Sequence, residues 1–242
     1  MRYKITYDSF VIEYNKQAIQ YIEKNELDQA ISLMKTADNI MKTENVRNMN
    51  LLKSLTYYSY GIYNMKKRKI LLSIKYFLKS LDHGKNGINI LTLSKTHLHL
   101  SQIYLKSSQY SKSLQHALLA LKACKTSTKE LFEIFESIGN SYKHLGNHLE
   151  AMKYFRTGCE LSNKLYGKNS EYEVKLAYEH EKLSKINGIK SRKLCTPTRT
   201  KSSEQIFNSV PRSLTPVLSP NPSNIPINRT KGHSFINKFI DD

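Results

Sequence analysis

The sequence predicts an all-α fold, and three observations carry that expectation. Apolar residues recur with the helical period in paired segments. In the best-defined pair, residues 135–166, Phe135, Ile138, Gly139 and Tyr142 fall at i, i+3, i+4 and i+7. Each pair is interrupted by a short polar or glycine-bearing turn. The second segment of each pair opens on a small residue (Ala30, Ser73, Ser113, Ala151), at intervals of 43, 40 and 38 residues. A fixed interval of this size indicates a repeated helical hairpin. One such hairpin cannot bury its apolar stripe alone, so the copies are expected to stack.

In the first repeat a helical period begins at Val11 and runs through Tyr14, Ala18 and Tyr21. Asn25-Glu26-Leu27-Asp28 breaks it, and Ala30, Ile31, Met34 and Ala37 form the second stripe. The second repeat holds Tyr57-x2-Tyr60-Gly61, a charged turn at Lys66-Lys67-Arg68-Lys69, then Ser73-x3-Phe77 and Ser80. Alignment on Gly61 places Asn64 where the other repeats have tyrosine, with Tyr63 one residue early, so two registers stay open. The third repeat, 93–124, reads Leu100-Ser101-x2-Tyr104, a turn at 107–109, then Ser113-x3-Ala117 and Ala120. In the fourth, Gly146-Asn147 makes the turn before Ala151-x3-Phe155. Gly139 and Ala151 are small where the two helices would touch. Connections such as 83–89, including Gly84-Lys-Asn-Gly87, are read as loops. Residues 171–187 form one more helix, expected to cap the stack with a polar outer face.

The pattern of an aromatic, two residues, Ile138-Gly139, two residues and Tyr142, followed by Ala151-x3-Phe155, resembles the tetratricopeptide repeat (TPR). The resemblance spans about 11–166. Repeats near forty residues, ending in Leu-Tyr-Gly-Lys-Asn-Ser at 165–170, resemble the kinesin-light-chain subtype in one repeat. The resemblance implies a right-handed solenoid of about four hairpins, with a repeat domain over 11–188. Its first helices would line a concave groove that binds a peptide of a partner protein.

Residues of each first helix that point away from the buried stripe are the groove candidates. They are Glu133, Glu136, Asn140 and Lys143 in the fourth repeat and Lys95, Leu98, Gln102 and Lys106 in the third. Tyr58, Ile62 and Lys66 follow in the second, and Ile12, Asn15 and Ile19 in the first. In the family, Asn at the place of Asn140 commonly hydrogen-bonds the backbone of an extended peptide, and Gln102 carries the same amide. The carboxylate clamp that some relatives use on chaperone tails is not expected, because Asn15 and Ile19 stand where its Lys and Asn would be needed.

The chain has 242 residues, with 38 Lys+Arg against 20 Asp+Glu, a net charge of +18. A basic field of that size favours acidic partners. An alternative function is therefore a basic repeat protein that binds RNA or a polyanionic surface. Most tyrosines fall on stripe positions (Tyr14, Tyr21, Tyr104, Tyr142), which assigns them to core rather than to base stacking. No phosphate-binding glycine loop or nucleophile elbow is present, so no catalytic residues and no cofactor are expected. His97 and His99 lie about 200° apart on a helix, unsuited to one metal, and a turn separates His144 from His148. Cys124, Cys159 and Cys195 are too scattered for a disulfide framework or a metal site. No apolar run approaches a membrane span or a signal core, which places the protein in the cytoplasm.

All six prolines lie after residue 196, and 189–242 is rich in Ser, Thr and Asn with nine basic and three acidic residues. That composition predicts a disordered tail. Thr196, Thr215 and Ser219 each precede proline and are candidate phosphorylation sites. Phe235, Ile236, Phe239 and Ile240 form an amphipathic stripe suited to self-binding or partner docking.

Overall fold

The computed structural model of the protein describes residues 7–86, 90–124, 128–167, 170–186 and 188. The chain divides into two units, 1–196 and 197–242. The expectations for Cys195, for Thr196, Thr215 and Ser219 and for Phe235, Ile236, Phe239 and Ile240 lie outside the described residues.

Helices follow one another in antiparallel pairs. α1 (Tyr7–Glu23) packs on α2 (Leu27–Thr43) and α3 (Met49–Lys66) on α4 (Ile70–Asn86). α5 (Ile90–Lys106) packs on α6 (Tyr110–Ala123) and α7 (Thr128–His144) on α8 (His148–Tyr166). α9 (Glu171–Ile186) covers α8. The first helices also meet in series, α1 on α3, α3 on α5 and α5 on α7. No strand occurs among the described residues. α1 starts at Tyr7, ahead of the first periodic residue. There the Asp8 carboxylate accepts the N–H groups of Arg47 and Asn48 at 3.0 and 3.1 Å, tying α1 to the entry of α3.

The hairpins close on small residues. Gly139 faces the Phe155 ring and Gly61 the Phe77 ring so closely that a Cβ on either would overlap it. This equivalence settles the second repeat: Gly61 is in register with Gly139, and Asn64 takes the tyrosine's place. Asn64 is buried and donates to Tyr60 O at 2.8 Å. Tyr63 turns back into the first repeat, among Ala18, Ile22, Ala30 and Met34.

Serines do the same work with hydroxyls in the middle repeats. Ser73 donates to Gly61 O at 2.8 Å, and Ser113 to Ser101 O at 2.9 Å, twelve residues back in each case. At the other end of the hairpin Ser80 donates to Ser54 O at 2.8 Å, and Ser94 to Ala120 O at 3.0 Å. A buried hydroxyl on a neighbouring carbonyl satisfies its own polarity while letting the helix axes approach.

The four turns share one backbone. Asn25, Arg68, Ser108 and Gly146 each adopt a left-handed conformation, with φ of 67°, 58°, 57° and 79°. The next N–H then reaches back five residues: Glu26 to Tyr21 O at 2.8 Å, and Lys69 to Asn64 O, Gln109 to Tyr104 O and Asn147 to Tyr142 O, each at 2.9 Å. This C-terminal cap satisfies helix carbonyls and favours glycine at the left-handed residue. Only the fourth turn has one.

Three sequence expectations change. α4 runs through 83–86, so Gly84 is helical; a Cβ there would press on Ser54 Oγ at 3.2 Å. Tyr14, Tyr21, Tyr104 and Tyr142 are half-buried at the edges of the stripes, while Tyr58, Tyr63 and Tyr154 are the buried ones. The outer face of α9 is not wholly polar, since Val174 and Tyr178 are more than half exposed. Cys124 and Cys159 are buried cysteines outside any disulfide, as small core residues.

Gly139→Ala and Gly61→Ala are expected to lower stability by about 1–3 kcal/mol despite alanine's better helix propensity, because each ring must move. Urea denaturation reads this directly, and unchanged midpoints would contradict the close approach. Arg68→Gly is expected to raise stability by about 0.5–1 kcal/mol through relief of the left-handed strain. A fall in its denaturation midpoint would show that the turn carries no such strain.

Candidate peptide-binding groove

The stripe of each first helix is committed to its own hairpin, which leaves one face of α1, α3, α5 and α7 to meet its neighbours or solvent. How that face is divided differs from repeat to repeat.

In the first two repeats it is mostly consumed by helix-to-helix contact. Asn15 is 1% exposed and donates to Val11 O and to Thr56 Oγ1, both at 2.9 Å, locking α1 to α3. Tyr58 is buried against the Phe77 and His99 rings, with its hydroxyl 3.4 Å from His99 Nε2. Burial first, then nearby carboxylates led by Glu130, pushes the Tyr58 hydroxyl pKa well up, so it stays protonated. Ile19 and Ile62 are half-buried and pack on the same cluster. Leu98 on α5 is also buried. Asn15 and Tyr58 thus line contacts between repeats rather than free surface.

The third and fourth repeats keep more of the face open. Lys95 and Lys106 are exposed on α5, and Gln102 is half-buried beside His99. On α7, Glu133, Glu136, Asn140 and Lys143 are all half-buried. Glu136 pairs with Lys175 at 2.8 Å and Lys143 with Glu179 at 2.7 Å. Both partners come from α9, which the sequence presents only as a cap. The Asn140 amide makes no hydrogen bond among the described residues, half-buried though it is. Burial, partly offset by Lys129, raises the Glu133 carboxyl above its usual range.

His97 and His99 point to opposite sides of α5, as their spacing requires. His97 meets His116 of α6, Nδ1 to Nδ1 at 3.0 Å, and His116 stacks on Tyr104. His99 stacks on Phe77. At 3.0 Å one Nδ1 of the pair must carry the hydrogen and the other accept it, so the two rings cannot both be protonated. Burial is the main cause holding both His97 and His99 down at about 4; His116 adds to it for His97, and Lys95 for His99. His144 ends α7 and stacks on Tyr110 at 4.5 Å, while His148 opens α8. No group of three metal-ligating side chains occurs among the described residues, and no described helix is long and apolar enough to cross a membrane.

These depressed histidines set a pH dependence. The folded values of His97 and His99 lie below the ordinary 6.5, so their contribution is whole above that pH. It is lost as pH falls towards about 4, because the unfolded chain takes up protons that the fold refuses. His99 alone contributes on the order of 3 kcal/mol across this window. The raised Glu133 acts in the opposite sense. Urea midpoints measured from neutral pH downwards are expected to fall with acidification, less steeply in His99→Gln. A slope identical in that variant would refute the assignment.

No protein-family model matches the sequence, and no curated protein matches it. Among solved structures, the chain is similar to nearly identical TPR-like repeats from a Podosopora anserina protein described as a kinesin light chain. The TM-score is 0.58 at 10% identity, covering 75% of this chain and 88% of the other. A Q17M variant of the same repeats gives 0.58 at 10% identity, over 76% and 89%. At that identity the likeness concerns the fold. The tandem helical hairpins of this chain form a TPR-like repeat solenoid.

Proposed function

We propose that this protein is a non-enzymatic interaction scaffold that holds a peptide segment of a partner protein against its first helices, chiefly α5 and α7. A TPR-like solenoid is in general an architecture for protein interaction rather than catalysis. The observation that carries the finer reading is Asn140. Its amide is half-buried on the open face of α7 and makes no hydrogen bond among the described residues, which leaves its donor and acceptor for a ligand's backbone. Gln102 stands at the equivalent place one repeat earlier, and exposed Lys95 and Lys106 flank it. The α9 ion pairs hold Glu136 and Lys143 beside Asn140, which fixes the local geometry before a ligand arrives. The occupant is an extended or helical peptide. Within this proposal the repeat domain occupies 11–188 and works in the cytoplasm. The 189–242 segment is a regulatory tail whose Thr196, Thr215 and Ser219 accept phosphate.

Affinity capture with the wild-type chain and with Asn140→Ala/Gln102→Ala tests the reading. A discrete protein partner is expected to bind the wild type and to lose about tenfold in affinity for the variant, the worth of one or two hydrogen bonds to a backbone. A partner set unchanged by the double substitution would overturn the groove. Capture of RNA or bulk polyanion alone would move the function to the charge of the chain.

A further inference from the structure

The turn between α3 and α4 has a chemistry unlike the other turns. Lys66, Lys67, Arg68 and Lys69 are consecutive and all exposed, and none is ion-paired with a described carboxylate. The equivalent turn of the third repeat is Ser107-Ser108-Gln109. α4 then opens on Ile70, Leu71 and Leu72, of which Leu71 is 83% exposed and its neighbours about 38–39%. Leu78 lies two turns further on the stripe of Leu71 and is 46% exposed, with exposed Lys75 between them. Burying an apolar side chain is favourable in proportion to its area, so a leucine left this open gains nothing for the fold.

We propose that this turn and the outer face of α4 dock on an anionic lipid bilayer surface. Cations that lack carboxylate partners complement phosphate and carboxylate headgroups. The leucines stand exposed at a helix end, so they suit a fluid, yielding phase in which they can sink to the headgroup–acyl boundary. Nucleic acid would use the cations but leave the leucines in water. A folded acidic protein would need a cavity matched to Leu71. Leu145 and Leu149, at the turn of the fourth repeat, are likewise exposed.

Vesicle flotation of the full chain tests this, with neutral phosphatidylcholine vesicles against vesicles containing about a third phosphatidylserine. Binding is expected only to the anionic vesicles. Leu71→Ser/Leu78→Ser is expected to weaken it about tenfold with unchanged helical circular dichroism, since both side chains are exposed. Lys67→Gln/Arg68→Gln/Lys69→Gln should weaken it by roughly fivefold for each charge removed at low salt. The chain has no tryptophan, so Leu71→Trp supplies a local probe. Its emission should shift to the blue on anionic vesicles. Equal binding of the leucine variant, equal binding to both vesicle types, no binding at all, or an unshifted Leu71→Trp emission would each overturn the proposal. Vesicle binding that ignores the leucines would assign the attraction to charge alone.

Discussion

The close approach of two antiparallel helices through small residues governs this structure. Ala18 against Ala30, Gly61 against Ser73, Ser101 against Ser113 and Gly139 against Ala151 are the same meeting point in four copies. At Gly61 and Gly139 an aromatic ring from the second helix occupies the space of the missing Cβ. At Ser73 and Ser113 a hydroxyl reaches the opposing backbone. Two solutions of different chemistry keep one geometry, because a methylene group is the margin at which close-packed interiors respond. With that crossing set, the turn can reverse in three residues and the stripe of each hairpin faces its neighbour.

Stacking then competes with binding for the same side chains. The face that a first helix presents away from its hairpin can seal a repeat junction or stay open. Between α1 and α3 it seals, through Asn15 and Thr56, and around Tyr58 it seals with rings from two further helices. Towards α7 it opens, and the neighbour there, α9, reaches across with charged side chains instead of apolar ones. An ion pair at half-buried positions adds little stability by itself. It does hold Glu136 and Lys143 on the helix face of Asn140, which an apolar seal would have covered.

Much of the candidate site was legible as a helix face but not as a surface. The spacing that selects Asn15, Tyr58, Leu98, Gln102 and Asn140 selects one side of four helices. Whether that side is wet depends on how far the next helix is displaced, and this is a property of long-range packing. Lys175 and Glu179 show the converse. They are ordinary charged residues on a helix with a modest apolar stripe, and only the fold puts them opposite Glu136 and Lys143. The His97–His116 contact is of the same kind, joining residues of two helices whose rotation no local pattern reports.

The sequence by itself determined the helical hairpin, its four copies and their turns, because the 3.6-residue period and the small residues at fixed intervals are local constraints on one chain segment. It also set the basic charge and the change of composition after residue 188, which are sums over residues. Only the tertiary structure decided the register of the second repeat, since Gly61 is distinguished by Phe77, a residue sixteen positions away on another helix. It alone turned Asn15 and Tyr58 inwards, left Asn140 open and exposed Leu71. Those outcomes follow from which helix lies against which, and a periodic stripe states that a neighbour is needed without stating which side chains that neighbour will cover.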